Sequence, residues 1–336
     1  GGYSHRIQCG NGTFLEIRPL WSGSSNNDCL ESAQEQKRWV VADDIMLRVA
    51  VVTPSYAQDF ERCRLLCDSI DHYVSDITDH YILVDDDDYE LFSKLGSERR
   101  HIVNEQDILP NWLFSFKAGL TRSARKLWVS NRTWPMRGWH IQQLRRIAIA
   151  DYVSHEGLLY CDSDMMFVKP FHLSQLWTED GFRFYRKENG ISDQLPNGGQ
   201  LHKGWTKGAA KLLGLAEPSF PAPDYINNLV SWRRSDVVDM CRHIEQSSGR
   251  DWVSAIARNR SFSECQIFGA YVDGIKGGTG YWHTRDGLCQ TYWAGKALDR
   301  QSVSNFVDTM TTGQVAIGIQ SFTGTDPRNL RHLINY

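Results

Sequence analysis

The 336-residue chain has no run of apolar residues long enough to span a membrane, which would take about 18 in a row. It also has no charge surplus. Its 37 Lys and Arg are set against 40 Asp and Glu, for a net charge of −3, so the global basic signature of a nucleic-acid-binding protein is absent. Eight cysteines occur, but none in a Cys-x-x-Cys pair, which removes the spacing of zinc ribbons and thioredoxin-type redox sites. Cys63 and Cys67 lie four apart on an expected helix, poor geometry for a disulfide along one element, so reduced thiols are expected. There is no internal repeat and no low-complexity tract. One local absence is sharper. From 111 to 150 there is no Asp or Glu, while Lys117, Arg122, Arg125, Lys126, Arg132, Arg137, Arg145 and Arg146 supply eight positive charges. Just upstream, residues 76 to 90 hold seven acids and no Lys or Arg. The two blocks either face one another or leave an electropositive surface suited to an anionic partner or a peripheral membrane contact.

What remains is a globular composition, 41% hydrophobic and 23% charged, with 12 Trp and 13 Tyr. Such a chain can bury a large core, and its aromatic faces can stack on sugars or bases as well as fill that core. Residues 1–47 are polar and read as a lead segment. Buried-type strands are expected at 48–53 and 80–84, with a helix at 59–70 between them, which together make a strand–helix–strand unit. A helix is expected at 138–151 from its apolar stripe of Ile141, Leu144, Ile147 and Ala148. Further helices are expected at 237–246 and 252–257, a short amphipathic element at 263–272, and a late strand at 315–319. Residues 171–235, with Gly198-Gly199 and Pro218, Pro221 and Pro223, read as loop-rich.

Within this pattern Leu158-Leu159-Tyr160-Cys161 runs straight into Asp162-Ser163-Asp164, and Met165-Met166-Phe167-Val168 leaves it. Alternate residues of extended chain point the same way. Two carboxylates at the mouth of a buried sheet suit an oxygen-ligated divalent cation, Mn²⁺ or Mg²⁺, which would neutralise a phosphate. A bare acidic triplet is equally a turn; the flanking strands favour the site.

The order of these pieces resembles the GT-A fold of nucleotide-sugar-dependent glycosyltransferases. More narrowly, Gly138-Trp139-x-x-Gln142-Gln143-x-x-Arg146, Cys161-Asp162-Ser163-Asp164 with Phe167-Val168-Lys169-Pro170, and Ser263-Glu264-x-x-x-Phe268-Gly269-x-Tyr271 resemble a poorly characterised bacterial glycosyltransferase-like family of polysaccharide biosynthesis. The resemblance covers roughly residues 47–285. It implies an α/β fold with a mixed sheet flanked by helices and a loop-rich acceptor-side lobe. Domain bounds would then be 48–290, divided into a nucleotide-sugar half (48–170) and an acceptor half (171–290), with 291–336 packed on as an extension. It implies transfer of a hexosyl or pentosyl group from a UDP- or GDP-type donor to a hydroxyl of a glycan or lipid-linked acceptor.

By this resemblance Asp162 and Asp164 are metal ligands, with His283 as a third and His202 as its rival. Thr53, Ser55, Tyr56, Asp85, Trp139, Gln143, Arg146 and Asp162 are candidates for the donor pocket. Glu264 is the candidate general base, whose structural alternative is simply a first-turn Glu capped by Ser263. Arg145 and Arg146 are adjacent on a helix and point about 100° apart, so at most one belongs to the site. Asp224, Trp232 and Arg233 are acceptor-side guesses. With Glu264 as base the anomeric centre inverts; with no carboxylate beside the acceptor hydroxyl, retention is expected. The rivals are a nucleotidyltransferase making nucleotide sugars, disfavoured by the glycine-free Thr53-Pro54-Ser55-Tyr56 after the first strand, and a non-catalytic glycan-binding protein. A cytoplasmic, membrane-associated setting is preferred. Three Asn-x-Ser/Thr triplets at Asn11, Asn131 and Asn259 keep a Golgi-lumen protein, its anchor outside this stretch, as the alternative.

Overall fold

A computed structural model describes residues 6–8, 14–16, 47–77, 79–118 and 125–334. Arg6–Gln8 and Phe14–Glu16 pair antiparallel, and a second unit begins at Leu47.

Val49–Pro54 forms β1, whose six residues are all buried. A strand hidden on both faces needs an unbroken apolar run, and Val49-Ala50-Val51-Val52 supplies it. Helix α1 (Phe60–Tyr73) follows, then β2 (His80–Val84). Asp86, Asp87 and Asp88 fill the first turn of α2 (Asp86–Phe92), where acids meet the positive end of the helix dipole. After β3 (Arg100–Asn104) the chain builds a separate antiparallel meander of β4 (Phe114–Ala118), β5 (Arg125–Val129) and β6 (Met136–Arg137). The sequence reading treated this stretch only as a charge block.

Helix α3 (Gly138–Tyr152) then leads into β7 (Gly157–Cys161), the Asp162-Ser163-Asp164 turn and β8 (Met165–Phe167). Where a loop-rich stretch is expected, the chain instead forms α4 (Gln200–Leu213) and β9 (Leu229–Arg233). Two internal glycines, Gly204 and Gly208, weaken the helical signal of α4, but Ala209, Ala210 and Leu213 bury its inner face. Helices α5 (Arg234–Ser248), α6 (Trp252–Ala257) and α7 (Glu264–Gly274) follow, then β10 (Cys289–Tyr292) and β11 (Ala316–Ile319).

The central sheet runs β9-β7-β1-β2-β3. Strands β7, β1, β2 and β3 are parallel, and β9 is an antiparallel edge. The expected mixed sheet with flanking helices is therefore what forms. From β1 the chain steps to β2 and β3 on one side, and later returns to β7 on the other. The strand order reverses between β1 and β7, and in open sheets that crevice at the carboxyl ends is where ligands bind. A second small sheet, β8-β11-β10, pairs the strand after the Asp-x-Asp turn with β11, Met165 opposite Gly318. The C-terminal segment thus reaches the site directly.

The acidic and basic blocks face one another. Lys126 Nζ lies 3.4 Å from Asp85 and 3.3 Å from Asp87, and Lys117 lies 3.3 Å from Asp87. Arg132 pairs with Asp251, and Arg145 with buried Glu105. Of the cations in this segment Arg145 and Arg146 are buried, while Lys117 and Arg132 stay about half exposed in their pairs. Among the described residues no helix is long and apolar enough to cross a membrane.

Candidate active-site cleft

The carboxyl ends of β1 and β7 open into a cleft of about 410 Å³. Tyr56 and Asp59 line it from the segment after β1, and Asp162, Ser163 and Asp164 from the turn after β7. Trp139, Gln142, Gln143 and Arg146 come from α3, and Ser263, Glu264 and Cys265 from the start of α7. His202 and Trp205 of α4, Asn227 and Asn228 before β9, and Trp293, Gln320 and Ser321 complete it.

Trp139, Gln143 and Arg146 stand at i, i+4 and i+7, so one face of α3 presents all three. Gln143 Oε1 accepts the backbone N–H of Glu264 (2.9 Å), and its Nε2 donates to the Trp139 carbonyl (3.3 Å). Ser263 caps α7 through the N–H of Gln266 (3.4 Å), which places Glu264 in the first turn. Arg146 Nη1 lies 2.9 Å from Glu264 Oε1 and 3.5 Å from Asp162 Oδ1, with its guanidinium 5.0 Å above the Tyr160 ring. Its Nε and Nη2 are buried with no hydrogen-bond partner among the described residues. Burial works against the Arg146 charge, and Glu264 and Asp162 more than offset it. Burial pushes the Glu264 carboxyl up, with Arg146 pulling it back. Arg145, one residue along, turns to the other side of α3 and donates through Nε to Glu105 (3.0 Å).

The acidic side of the cleft suits a cation. Asp164 is pushed up to about 7 by burial first and by Asp162 second. Burial also raises Asp162, against Arg146, and Asp162 Oδ1 has no hydrogen-bond partner among the described residues. Asp59, raised by burial, is a third acid here, steadied by Arg62 at 3.7 Å and by Ser163 Oγ–H at 3.5 Å. Asp164 Oδ2 accepts the N–H of Ser321 (3.0 Å). Among the described residues no three His, Cys, Asp or Glu side chains converge on one ion position. The donor set is hard oxygen, two carboxylates of one turn, which fits Mg²⁺- or Mn²⁺-type binding, where ligand phosphates and water supply the remaining bonds.

Several sequence candidates lie elsewhere. His283 is on the strand Tyr281–Thr284, its Nε2 3.2 Å from Asp273 Oδ1, and Asp273 also binds Arg186 and Tyr225. It does not line the cleft, whereas its rival His202 does. Thr53 is fully buried and bonded to His80 at 2.9 Å. Ser55 is buried as well. Asp85 faces Lys126. Trp232 is a core residue, 4.7 Å from the Tyr160 ring and 4.5 Å from Phe268, which corrects its assignment to an acceptor site. Sequence reasoning missed Asp59, Trp205, Asn228, Trp293 and Ser321. Each comes from a different segment, and only the fold brings them together.

Fold and cleft define an α/β protein with a paired-carboxylate site at the switch point of its parallel sheet. The chain belongs to the family of unknown function DUF6492, whose profile matches residues 43–334. No curated protein matches it. Among solved structures, a galactosyltransferase, LgtC, in complex with donor and acceptor sugar analogs, is 13% identical over 85% of this chain and 95% of that chain, at a TM-score of 0.40. At that score the likeness decides nothing about activity.

Proposed function

We propose that this protein is a metal-dependent glycosyltransferase that moves a sugar from a nucleoside-diphosphate donor to an acceptor hydroxyl. The observation that supports it is the convergence of Asp162, Asp164, Arg146 and Glu264 in one cleft at the switch point of the sheet. Asp162 and Asp164 would hold Mn²⁺ or Mg²⁺. When bound, such an ion supplies charge neutralisation for a departing diphosphate.

The chain's own groups do the rest. Arg146 places a fixed positive charge beside the two carboxylates, and in a site shielded from water a preorganised charge of this kind favours the developing anion. Glu264 takes the proton of the attacking hydroxyl as the new C–O bond forms and the anomeric C–O bond to phosphate breaks. A single displacement of this kind inverts the anomeric centre. Arg146 and Gln143 hold Glu264 in place on either side of α7's first turn. Tyr56, at the lip of β1, is the residue of the donor-pocket candidates there that reaches the cleft.

The test is a thermal-shift panel of UDP, GDP, CMP and TDP, each with and without Mn²⁺. A ligand that binds only the folded state raises the melting temperature. One nucleotide should shift it only with Mn²⁺, and Asp164→Ala should abolish the shift. No shift with any nucleotide would sink the transferase reading and leave a glycan-binding protein.

A further inference from the structure

The cleft has two chemically distinct ends. Acids gather at one, while the other is walled by aromatic rings, among them Trp139, a donor-pocket candidate by resemblance that is given a different role here. Trp139, on the first turn of α3, is 46% exposed. Its ring lies 5.7 Å from that of Trp205 at an interplanar angle of 31°, so the two indoles pack against one another. His202 meets Trp205 edge-on at 4.9 Å. The arrangement is fixed: Trp205 Nε1 donates to Ser261 Oγ (2.7 Å), and His140, packed against Trp139, is anchored to the Arg260 carbonyl (3.1 Å). An indole left open in a concave site is an apolar surface kept for a ligand.

The acid end has an open donor of its own: Asn228, only 3% exposed, precedes Leu229, which pairs with Cys161, so it stands beside Asp162, and its Nδ2 has no hydrogen-bond partner among the described residues. Flat apolar walls combined with neutral amide groups, Gln142 and Asn227 included, match a ring that is apolar on its face and hydroxylated at its edge. They do not match a phosphate or a carboxylate.

We infer that the Trp139–Trp205 surface is a subsite for an uncharged pyranose, and that this sugar is the acceptor. The acceptor role rests on the transferase reading; the binding of a pyranose does not. The wall is coupled to the proposed base through α3, since Gln143 bonds both the Trp139 carbonyl and the Glu264 N–H. A sugar stacked on Trp139 would therefore share one cleft with the proposed base. Trp205 carries this reading beyond what the sequence motif around Trp139 holds.

The test uses the full chain and the methyl glycosides of glucose, galactose, mannose and N-acetylglucosamine, titrated to millimolar concentration. Indole fluorescence and saturation-transfer NMR are the readouts. At least one glycoside should quench fluorescence and receive saturation on its ring C–H protons. Trp139→Ala and Trp205→Ala should each weaken it about tenfold, the loss of one stacking face. Trp139→Tyr, which keeps a ring, should recover most of that, so misfolding is separable from loss of stacking. Asp164→Asn should leave glycoside binding intact while removing any Mn²⁺-dependent nucleotide shift. Binding by none of the glycosides, or binding by both alanine variants as tight as that of the parent, overturns the subsite. Glycoside binding without any nucleotide binding upholds the subsite and sinks the transferase reading.

Discussion

Replacing Arg146 with Met removes the one cation between Glu264 and Asp162. The Arg146 and Glu264 side chains are each 7% exposed and Asp162 is 25% exposed, so the stranded charges are shielded from water. Breaking a buried pair by deleting one partner costs about 3–5 kcal/mol, because the survivor keeps its desolvation penalty and loses its compensation. For a protein of this size each kcal/mol moves the melting temperature by about 2–4 °C, so Arg146→Met should lower it by about 6–20 °C, toward the lower end for so long a chain. Glu264→Gln removes the stronger of the two stranded charges. The double variant Arg146→Met with Glu264→Gln should therefore be less damaged than the sum of the singles, by about 1–3 kcal/mol. Urea unfolding of the four proteins, with matched slopes, gives the cycle directly. An Arg146→Met protein within about 0.5 kcal/mol of the parent, or strict additivity, would mean that the pair is not a buried electrostatic unit, by the usual tolerance for independent sites.

Three further outcomes follow from other parts of the molecule. Glu264→Gln should leave Mn²⁺-dependent nucleotide binding in place but cut turnover by about 10²–10⁴-fold, the usual worth of a positioned base; unchanged turnover in steady-state kinetics would remove Glu264 from the chemistry. Gly269 faces the ring of Tyr225 so closely that an added Cβ would overlap it, so Gly269→Ala should cost about 1–3 kcal/mol by overpacking, readable as a lower urea midpoint; a neutral result would show that the ring moves freely. His155 is buried, 2.8 Å from Asp79, and burial holds its imidazole below the ordinary value. A base depressed on folding is protonated more readily in the unfolded chain, so its contribution is complete above about pH 6.5 and is lost as the pH falls from there. His155→Gln should flatten the melting-temperature profile just below about pH 6.5, and an unchanged slope there would contradict the assignment.

The parts of the fold that are legible in the sequence are those whose pattern has one reading. Val49-Ala50-Val51-Val52 can hardly be anything but a buried strand, and the apolar stripe of α3 and the Ser263 cap of α7 mark their helices. Helix α4 is hidden because Gly204 and Gly208 dilute its pattern, although glycines in the left-handed conformation, Gly199 and Gly214, bracket it. The meander at 114–137 is hidden behind its charge, since the cross-strand partners Lys117 and Lys126 carry cations that answer Asp87, some thirty or more residues back in the chain.

The site divides in the same way. Trp139, Gln143 and Arg146 share a helix face, and Asp162 and Asp164 share a turn, so local spacing finds them. Asp59 precedes α1 in a stretch with no distinguishing pattern. Ser321 donates to Asp164 only because β11 pairs with β8, a contact 157 residues apart in the chain. His283 was singled out by analogy of position, and the pairing of its strand with 181–185 carries it instead to Asp273.

The most direct measurement is a calorimetric titration of Mn²⁺ into the full chain, alone and with the nucleoside diphosphate selected by the thermal panel, for the parent and for Asp162→Asn and Asp164→Asn. Metal alone should bind weakly, the nucleotide should strengthen that binding at least tenfold, and both variants should lose the strengthening, because two carboxylates, with no third ligand converging on them among the described residues, need the diphosphate to complete the shell. Metal binding that is indifferent to nucleotide, or that survives both substitutions, would contradict a shared metal–diphosphate site in this cleft.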